Sequence, residues 1–373
     1  QDHLEAVLLD YVEGLRSVTI ARGAEVVAVE QDDDLVTVTV RDDAGVVRSV
    51  AADYVVGADG SRSAVRSAIG IEMAGPDNVF ESHSIEFRAP LWDVLGAHRH
   101  LLYILTESGA QGVLLPAGQD DRWLFAPRLD DGSIPDNPTD ESLREHIRRA
   151  AGVADLDVRV ERVGHFTSGA QLADRFSCGR VFLVGDAAHR VTPRGGTGLN
   201  IAVADGADIG WRLSWVLRRW APPSLLSAYE AERRPLVAHN VERSLDEFGS
   251  RRGADTELPV DLGGRIRHLW VTEDQSTVDL VGDGLTLFVP AGDVRWAMAA
   301  AGVGSRPPVT VVELDPVAAR SLGLGSSGAV LVRPDGVPVA SWLASPDADR
   351  EMGEAIWALL HPEDDPADSA AAA

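Results

Sequence analysis

The stretch that most limits how this chain can fold runs from residue 179 to 213, GRVFLVGDAAHRVTPRGGTGLNIAVADGADIGWRL. It opens with RVFLVGD, which is too short for a helix and apolar at successive rather than alternate positions. A strand with no polar side must be covered on both faces, the situation of a buried parallel sheet in an α/β layer structure. A glycine-rich turn follows, Pro193-Arg194-Gly195-Gly196-Thr197-Gly198, and then a helical pattern from about 198 to 220. Strand, turn and helix in that order deliver Asp186 to the carboxyl end of a sheet, where open α/β folds bind ligands. A carboxylate there is suited to accept hydrogen bonds from sugar or ribityl hydroxyls. Glycines let the backbone approach a flat ring. The helix N-terminus offers free N–H donors to an electron-rich carbonyl or anionic ring nitrogen.

A second segment, DYVVGADGSRSAVRSAIG at 53–70, has the same order. A strand ends in Gly57-Ala58-Asp59-Gly60, and a short helix carrying Arg62 and Arg66 follows, with Ser61 where an N-cap would stand. An Asp and an Arg side by side can order such a turn and touch a polar ligand; read alone, the segment is equally a structural Asp-Gly turn with surface arginines. GLGSSG, residues 323–328, is the one match to G-x-G-x-x-G in the chain. It lies after a helical segment, PVAARSL, and before a strand, AVLVRPDG, the reverse of the order a pyrophosphate site needs. Its glycines are expected to end a helix and lead into a strand.

Elsewhere, residues 1–15 read as an amphipathic helix, and period-two alternation marks strands between 18 and 60 and again from about 78 to 128. PTDESLREHIRRAA at 138–151 reads as a helix capped by Thr139 or Asp140. A second long helix is expected over 224–244, a Gly-, Arg- and Asp-rich linker near 250–265, then a smaller α/β unit, and a disordered terminal PADSAAAA. With 373 residues, 45% hydrophobic and 25% charged, the chain is long enough for two or three domains. A net charge of −24 argues against nucleic acid, and all 34 basic residues are Arg. No apolar run is long enough to span a membrane. The single Cys178 excludes an internal disulfide framework and fits a reducing cytoplasm. The ten His residues show no metal-ligand spacing, and His189 is expected to serve a structural hydrogen bond.

Together the segments at 53–70 and 179–213 resemble the FAD-dependent aromatic hydroxylases of the p-hydroxybenzoate hydroxylase type, single-component flavoprotein monooxygenases. The first is similar to the family's Asp-Gly motif, involved with both FAD and NAD(P)H. The second is similar to its Gly-Asp motif, whose Asp binds the FAD ribityl chain. PRGGTGLNIAVADGADIGWRLSWVLRRW followed by LLSAYEAERRP is the most specific part. The resemblance implies Gln1, Asp59, Gly60, Arg62, Gly185 and Asp186 as cofactor-binding residues. It places Pro193, Gly195, Gly196, Gly198, Leu199 and Asn200 along the isoalloxazine ring. The chain looks closest to the polyketide-tailoring subgroup, because its C-terminal part resembles a thioredoxin-like third domain without a redox CxxC.

The implied fold is α/β and α+β, multidomain. Residues 1–75 would be a first part of the FAD-binding Rossmann-like domain, 76–165 a β-sheet substrate domain, 166–250 the second FAD-binding part, and 251–373 the thioredoxin-like domain. Trp92, Tyr103, Trp123, Phe125 and Phe166 fall in the middle sheet, and one or two of them, with Pro193, are expected to line the substrate pocket. The family's strand–GxGxxG–helix unit, which holds the FAD pyrophosphate, has no counterpart here. The expectation is therefore an FAD domain without its N-terminal βαβ unit, either because this sequence lacks that portion or because the natural product is truncated.

By resemblance, NADPH or NADH reduces FAD, O₂ is the co-substrate, and a flavin C4a-hydroperoxide delivers oxygen to a phenolic or polycyclic aromatic, polyketide-type substrate. The cofactor carries this chemistry, so no catalytic side chain is singled out. Two alternatives stay open: a truncated, catalytically incomplete homologue that binds an aromatic ligand or a partner protein, and a Baeyer–Villiger oxidation of a polyketide. A small aromatic substrate, no metal, no membrane, a monomer or homodimer, and a cytoplasmic location complete the expectations.

Overall fold

The computed structural model describes residues 2–118, 120–127, 138–246, 263–304 and 306–362. Gln1, residues 250–262 of the linker expected near 250–265, and the closing PADSAAAA lie outside the described residues. The chain divides into two units, Gln1–Ala24 with Pro76–Gly169, and Glu25–Gly75 with Ala170–Ala373. The architecture is mixed α/β.

The first unit is built on a five-stranded antiparallel sheet, ordered Arg159–Ser168, Phe80–Arg88, Arg122–Pro127, Gly112–Pro116 and Tyr103–Leu105. Alternation sorts its two faces. Ile85, Phe87, Leu114, Trp123 and Phe125 point to one side, where Leu143 and Ile147 of the helix Asp140–Ala151 close the core. That helix starts at Thr139, whose side chain accepts the Ser142 N–H, and ends at Gly152 in the left-handed conformation. The other face is charged: Glu86 sits between Arg122 and Arg162, and Arg88 meets Glu161. The two guanidinium groups hold the Glu86 carboxyl below the ordinary range, against the opposing effect of its burial.

The second unit begins with the meander Ala24–Gln31, Val36–Asp42 and Val47–Ala52. The run that reads as one strand, VVRSVAADYVVGADG, is two in the structure. It breaks at Asp53-Tyr54, and Val55–Gly57 joins a different sheet, parallel to Val181–Leu183. Arg180 stabilises the break: its Nη1 donates to the Asp53 carbonyl, and its own carbonyl accepts the Val55 N–H. Val181, Phe182 and Leu183 are at most 2% exposed, as an apolar parallel strand requires. Two helices, Gly198–Leu217 and Ser227–Leu245, pack beside it.

The C-terminal part of this unit is a four-stranded sheet, ordered Val309–Leu314, Leu285–Pro290, Ala329–Val332 and Pro338–Trp342, with helices Val294–Gly302, Pro316–Ser321 and Ala348–Leu360. GLGSSG lies between the helix Pro316–Ser321 and the strand Ala329–Val332. Gly323, at φ +81°, ends that helix, and a Cβ on Gly328 would stand 2.6 Å from the Trp342 carbonyl oxygen. The motif is a helix-ending loop.

Among the described residues no helix is long and apolar enough to cross a membrane, and no group of three or more His, Cys, Asp or Glu could hold a metal ion.

Candidate functional site

The two glycine- and aspartate-bearing turns meet. Val55–Gly57 and Val181–Leu183 are adjacent parallel strands, so Gly57-Ala58-Asp59-Gly60 and Gly185-Asp186 leave the sheet at the same carboxyl edge. The Val184 N–H donates to the Gly57 carbonyl at 3.0 Å and extends the pairing into the turns. A Cβ on Gly57 would fall 2.9 Å from Val65 Cγ1, so only glycine lets the short helix close on the strand.

Asp59 orders the first turn. It accepts the Ser63 hydroxyl at 2.5 Å and the Val65 N–H at 3.1 Å. Ser63, not Ser61, is therefore the cap of the helix Ala64–Ala68, its Oγ accepting the Arg66 N–H. Arg66 then bridges the motifs, donating to the Ala187 carbonyl at 2.9 Å and the Ser61 carbonyl at 3.0 Å. Burial pushes its pKa down, the Asp59 carboxylate opposes that, and Arg190 adds repulsion. Arg62 is exposed, and Gly60 adopts φ +79°. Of the two arginines in this segment, Arg66 makes the connection.

In the second turn Gly185 has φ +57°, and the Asp186 side chain is exposed at the strand end. Pro193 and Gly196 are exposed, Gly195 and Gly198 half-buried. Gly196 is left-handed at φ +69° with open space where a Cβ would be, whereas a Cβ on Gly198 would lie 2.9 Å from Val191 Cγ2. Thr192 anchors the turn to the end of the second long helix, its N–H donating to Ser244 Oγ and its hydroxyl to the Ser244 carbonyl. The helix Gly198–Leu217 starts without a side-chain cap, and Leu199 and Asn200 of its first turn are exposed. Those first N–H groups and the positive end of the helix dipole face outward, suited to an anionic or electron-rich group.

Behind the turn lies a polar cluster that sequence reasoning missed. Asp205, with no exposure, accepts the Gly185 N–H at 3.1 Å, contacts His189 Nε2 at 2.7 Å and accepts Arg233 Nε at 2.9 Å. His189 thus makes the structural hydrogen bond expected of it. The signal was present: Asp205 interrupts the apolar face of a long helix, and Arg233 lies in AERRP on the next one. A separate cleft of about 360 Å³, lined by Tyr54, Arg180, Phe182 and Leu226, opens at the amino ends of the strands. That is the wrong end for a ligand held by Asp186.

The aromatic residues of the middle sheet belong to the other unit. Trp123 and Phe125 are at most 1% exposed and fill its core, with Trp92 4.5 Å and Tyr103 6.2 Å from the Trp123 ring. Trp123 Nε1 donates to the Ala89 carbonyl, and the Tyr103 hydroxyl to the His98 carbonyl. The void beside Phe125 is about 10 Å³, room for a water at most. Phe166 lies on the charged face and is 36% exposed.

Comparison with known proteins matches residues 1–244 to the model of an FAD binding domain and residues 260–362 to that of the aromatic-ring hydroxylase C-terminal region. The 4-methyl-5-nitrocatechol 5-monooxygenase of a Burkholderia species is 32% identical over 96% of this chain and 78% of its own. The tetracenomycin B2 monooxygenase-dioxygenase of Streptomyces olivaceus is 30% identical over 94% of this chain and 73% of its own. Among solved structures, aklavinone-11 hydroxylase in complex with FAD and aklavinone superposes with a TM-score of 0.81 at 28% identity, over 96% of this chain and 78% of that one.

Proposed function

The chain belongs to the family of FAD-dependent aromatic-ring hydroxylases, an enzyme family, and from that premise we propose that it is a monooxygenase acting on a phenolic or polycyclic aromatic substrate of the polyketide type. NADPH or NADH is the reductant and O₂ the co-substrate in this reading. The 1–75 and 166–250 segments serve the flavin, 76–165 the substrate, and 251–373 forms a thioredoxin-like accessory domain.

The observation that carries the reading is the convergence of the two motifs at one carboxyl edge, beside an uncapped helix N-terminus. The residues present fit such a cofactor. Asp186 offers an exposed carboxylate to the hydroxyls of a ribityl chain. Gly196 leaves space at the backbone for a flat ring, and the first N–H groups of the long helix suit an electron-rich ring edge. Asp59, Gly60 and Arg62 stand at the same edge for the more polar portions. When bound, FAD supplies the activation of O₂. The protein's share is to bind and orient, through Asp186 and the 193–200 turn, and to keep the turn shaped through Asp205, Thr192 and Arg66. No side-chain acid or base is required for that share.

Among the aromatic candidates, Trp123 and Phe125 are committed to the core, so we assign substrate contact to the opposite face of the sheet, where Phe166 lies. The test is a reaction of the purified protein, supplied with FAD and NADPH or NADH, on a polycyclic phenol under ¹⁸O₂. Substrate-stimulated NAD(P)H oxidation with one labelled oxygen in the product supports the proposal. A product without label, or no stimulation by any phenol tried, contradicts it.

A further inference from the structure

The long helix Gly198–Leu217 carries two buried carboxylates on one face, and each reaches into a different part of the chain. Asp205 holds the Gly185 turn. Asp208, 3% exposed, accepts Arg212 Nε at 2.6 Å, Arg212 Nη2 at 3.3 Å and Arg333 Nη2 at 3.4 Å. Arg333 comes from the C-terminal part, at the turn between the strands Ala329–Val332 and Pro338–Trp342. Its Nη1 meets Glu232 of the second long helix at 2.7 Å, and its Nε and Nη2 meet Asp335 at 3.2 and 2.8 Å. Trp211 lies against the Arg212 and Arg333 guanidinium groups, with ring distances of 4.7 and 5.2 Å, and its indole N–H donates to Asp335 Oδ2 at 3.2 Å. One side chain thus ties two helices and a hairpin turn together.

Such a network is weak evidence of stability, because desolvation of buried charges offsets their attraction. Burial raises the Asp208 pKa to about 6 in spite of its guanidinium partners. Burial likewise opposes the charge on Arg333, but Asp335, Glu232 and Asp208 outweigh it and raise its pKa. What the network adds is register. A planar guanidinium engaged at several angles accepts one rotation and one axial position of the helix, where an apolar contact of the same area would tolerate sliding. The helix is rigid, so a displacement at Asp208 carries to Asp205, one turn away, and to its first turn, roughly 15 Å along the axis at 1.5 Å per residue.

We propose that Arg333 is a positioning residue: by fixing Asp208 it sets the placement of the Gly185 turn and of the first N–H groups of the long helix. The C-terminal part then shapes the ligand site without touching it. The functional meaning rests on the FAD reading above, while the geometric claim does not.

The experiment measures amide hydrogen exchange and FAD affinity on the full chain, for the parent, Arg333→Met and Asp208→Asn at pH 7. The second variant removes one charge and leaves Arg333 with Glu232 and Asp335, so it guards against a first variant that fails to fold. Exchange is expected to accelerate at Gly185 by about fivefold or more, the lower end of ordinary coupling between sites, with the strand Leu285–Pro290 unchanged. The FAD dissociation constant rises by a similar factor, and Arg333→Lys recovers part of the loss. Unchanged exchange at Gly185, or equal acceleration in Leu285–Pro290, overturns the proposal. Selective acceleration in the variants, together with a parent chain that takes up no FAD, supports the coupling and sinks the cofactor reading instead.

Discussion

Asp205 has three partners and no exposure, so its removal strands the Arg233 guanidinium and the Gly185 N–H in the interior. Asp205→Ala is expected to cost about 3–5 kcal/mol, the usual consequence of breaking a buried pair on one side. Urea unfolding at neutral pH measures it, and an unchanged midpoint would contradict the pairing. The glycines of the same region separate by their surroundings. Gly198→Ala places a Cβ 2.9 Å from Val191 Cγ2 and should lose roughly 1–3 kcal/mol through overpacking. Gly206→Ala, exposed in the middle of the long helix with nothing within 4 Å, should gain about 0.5–1 kcal/mol from helix propensity. Thermal unfolding of the two variants side by side checks the opposite signs.

The long helix and the strand before it were the most legible elements, for a physical reason. Val181–Leu183 is apolar at every position, and only burial on both faces accounts for that. The break at Asp53-Tyr54 was not legible, because the alternation continues across it and the partner that stabilises it, Arg180, is 127 residues away. The pairing of Asp208 was hidden for a related reason: Asp and Arg in a helix read as a solvated face until their partners are known, and Arg333 is 125 residues from Asp208. The turns that bear Asp59 and Asp186, with Arg62 and Arg66 beside the first, could be named from sequence, but the cap Ser63 and the bond from Arg66 to the Ala187 carbonyl, 121 residues away, could not.

Asp208 also gives the helix a pH signature. Its folded pKa, about 6, is above the unfolded value of 3.8, so the folded state binds the proton more tightly. The stability this group contributes is full below 3.8 and is lost as pH rises through about 6. Relative to Asp208→Asn, the parent chain should therefore lose stability between those values and show no further change above them. Unfolding midpoints of both proteins across that interval provide the check, and a constant difference would contradict the burial argument.

At the scale of the whole molecule, two family regions are joined through charge as well as apolar packing. Trp215 of the long helix donates its indole N–H to the Asp283 carbonyl at 2.8 Å, and Arg333 reaches in from the other direction. The chain as a whole is strongly acidic, at −24, yet Arg62, Arg66, Arg190 and Arg194 all belong to the two motif segments. With Arg180 and Arg212 they stand against Asp53, Asp59, Asp186, Asp205 and Asp208, so these segments are close to charge balance in an otherwise acidic chain and repel a ligand with anionic portions less than the rest of the surface does.

FAD is expected to bind where the two motifs meet, with Asp186 as a direct contact. Asp186 is exposed, so Asp186→Ala should leave stability within about 0.5 kcal/mol. A change in flavin affinity can then be read as a lost ligand contact. Fluorescence titration of FAD into the parent and Asp186→Ala proteins tests this most directly. Saturable binding to the parent, weakened about tenfold or more in the variant at equal unfolding midpoint, is the predicted result. Equal affinity in the two proteins, or no binding to the parent, would contradict it.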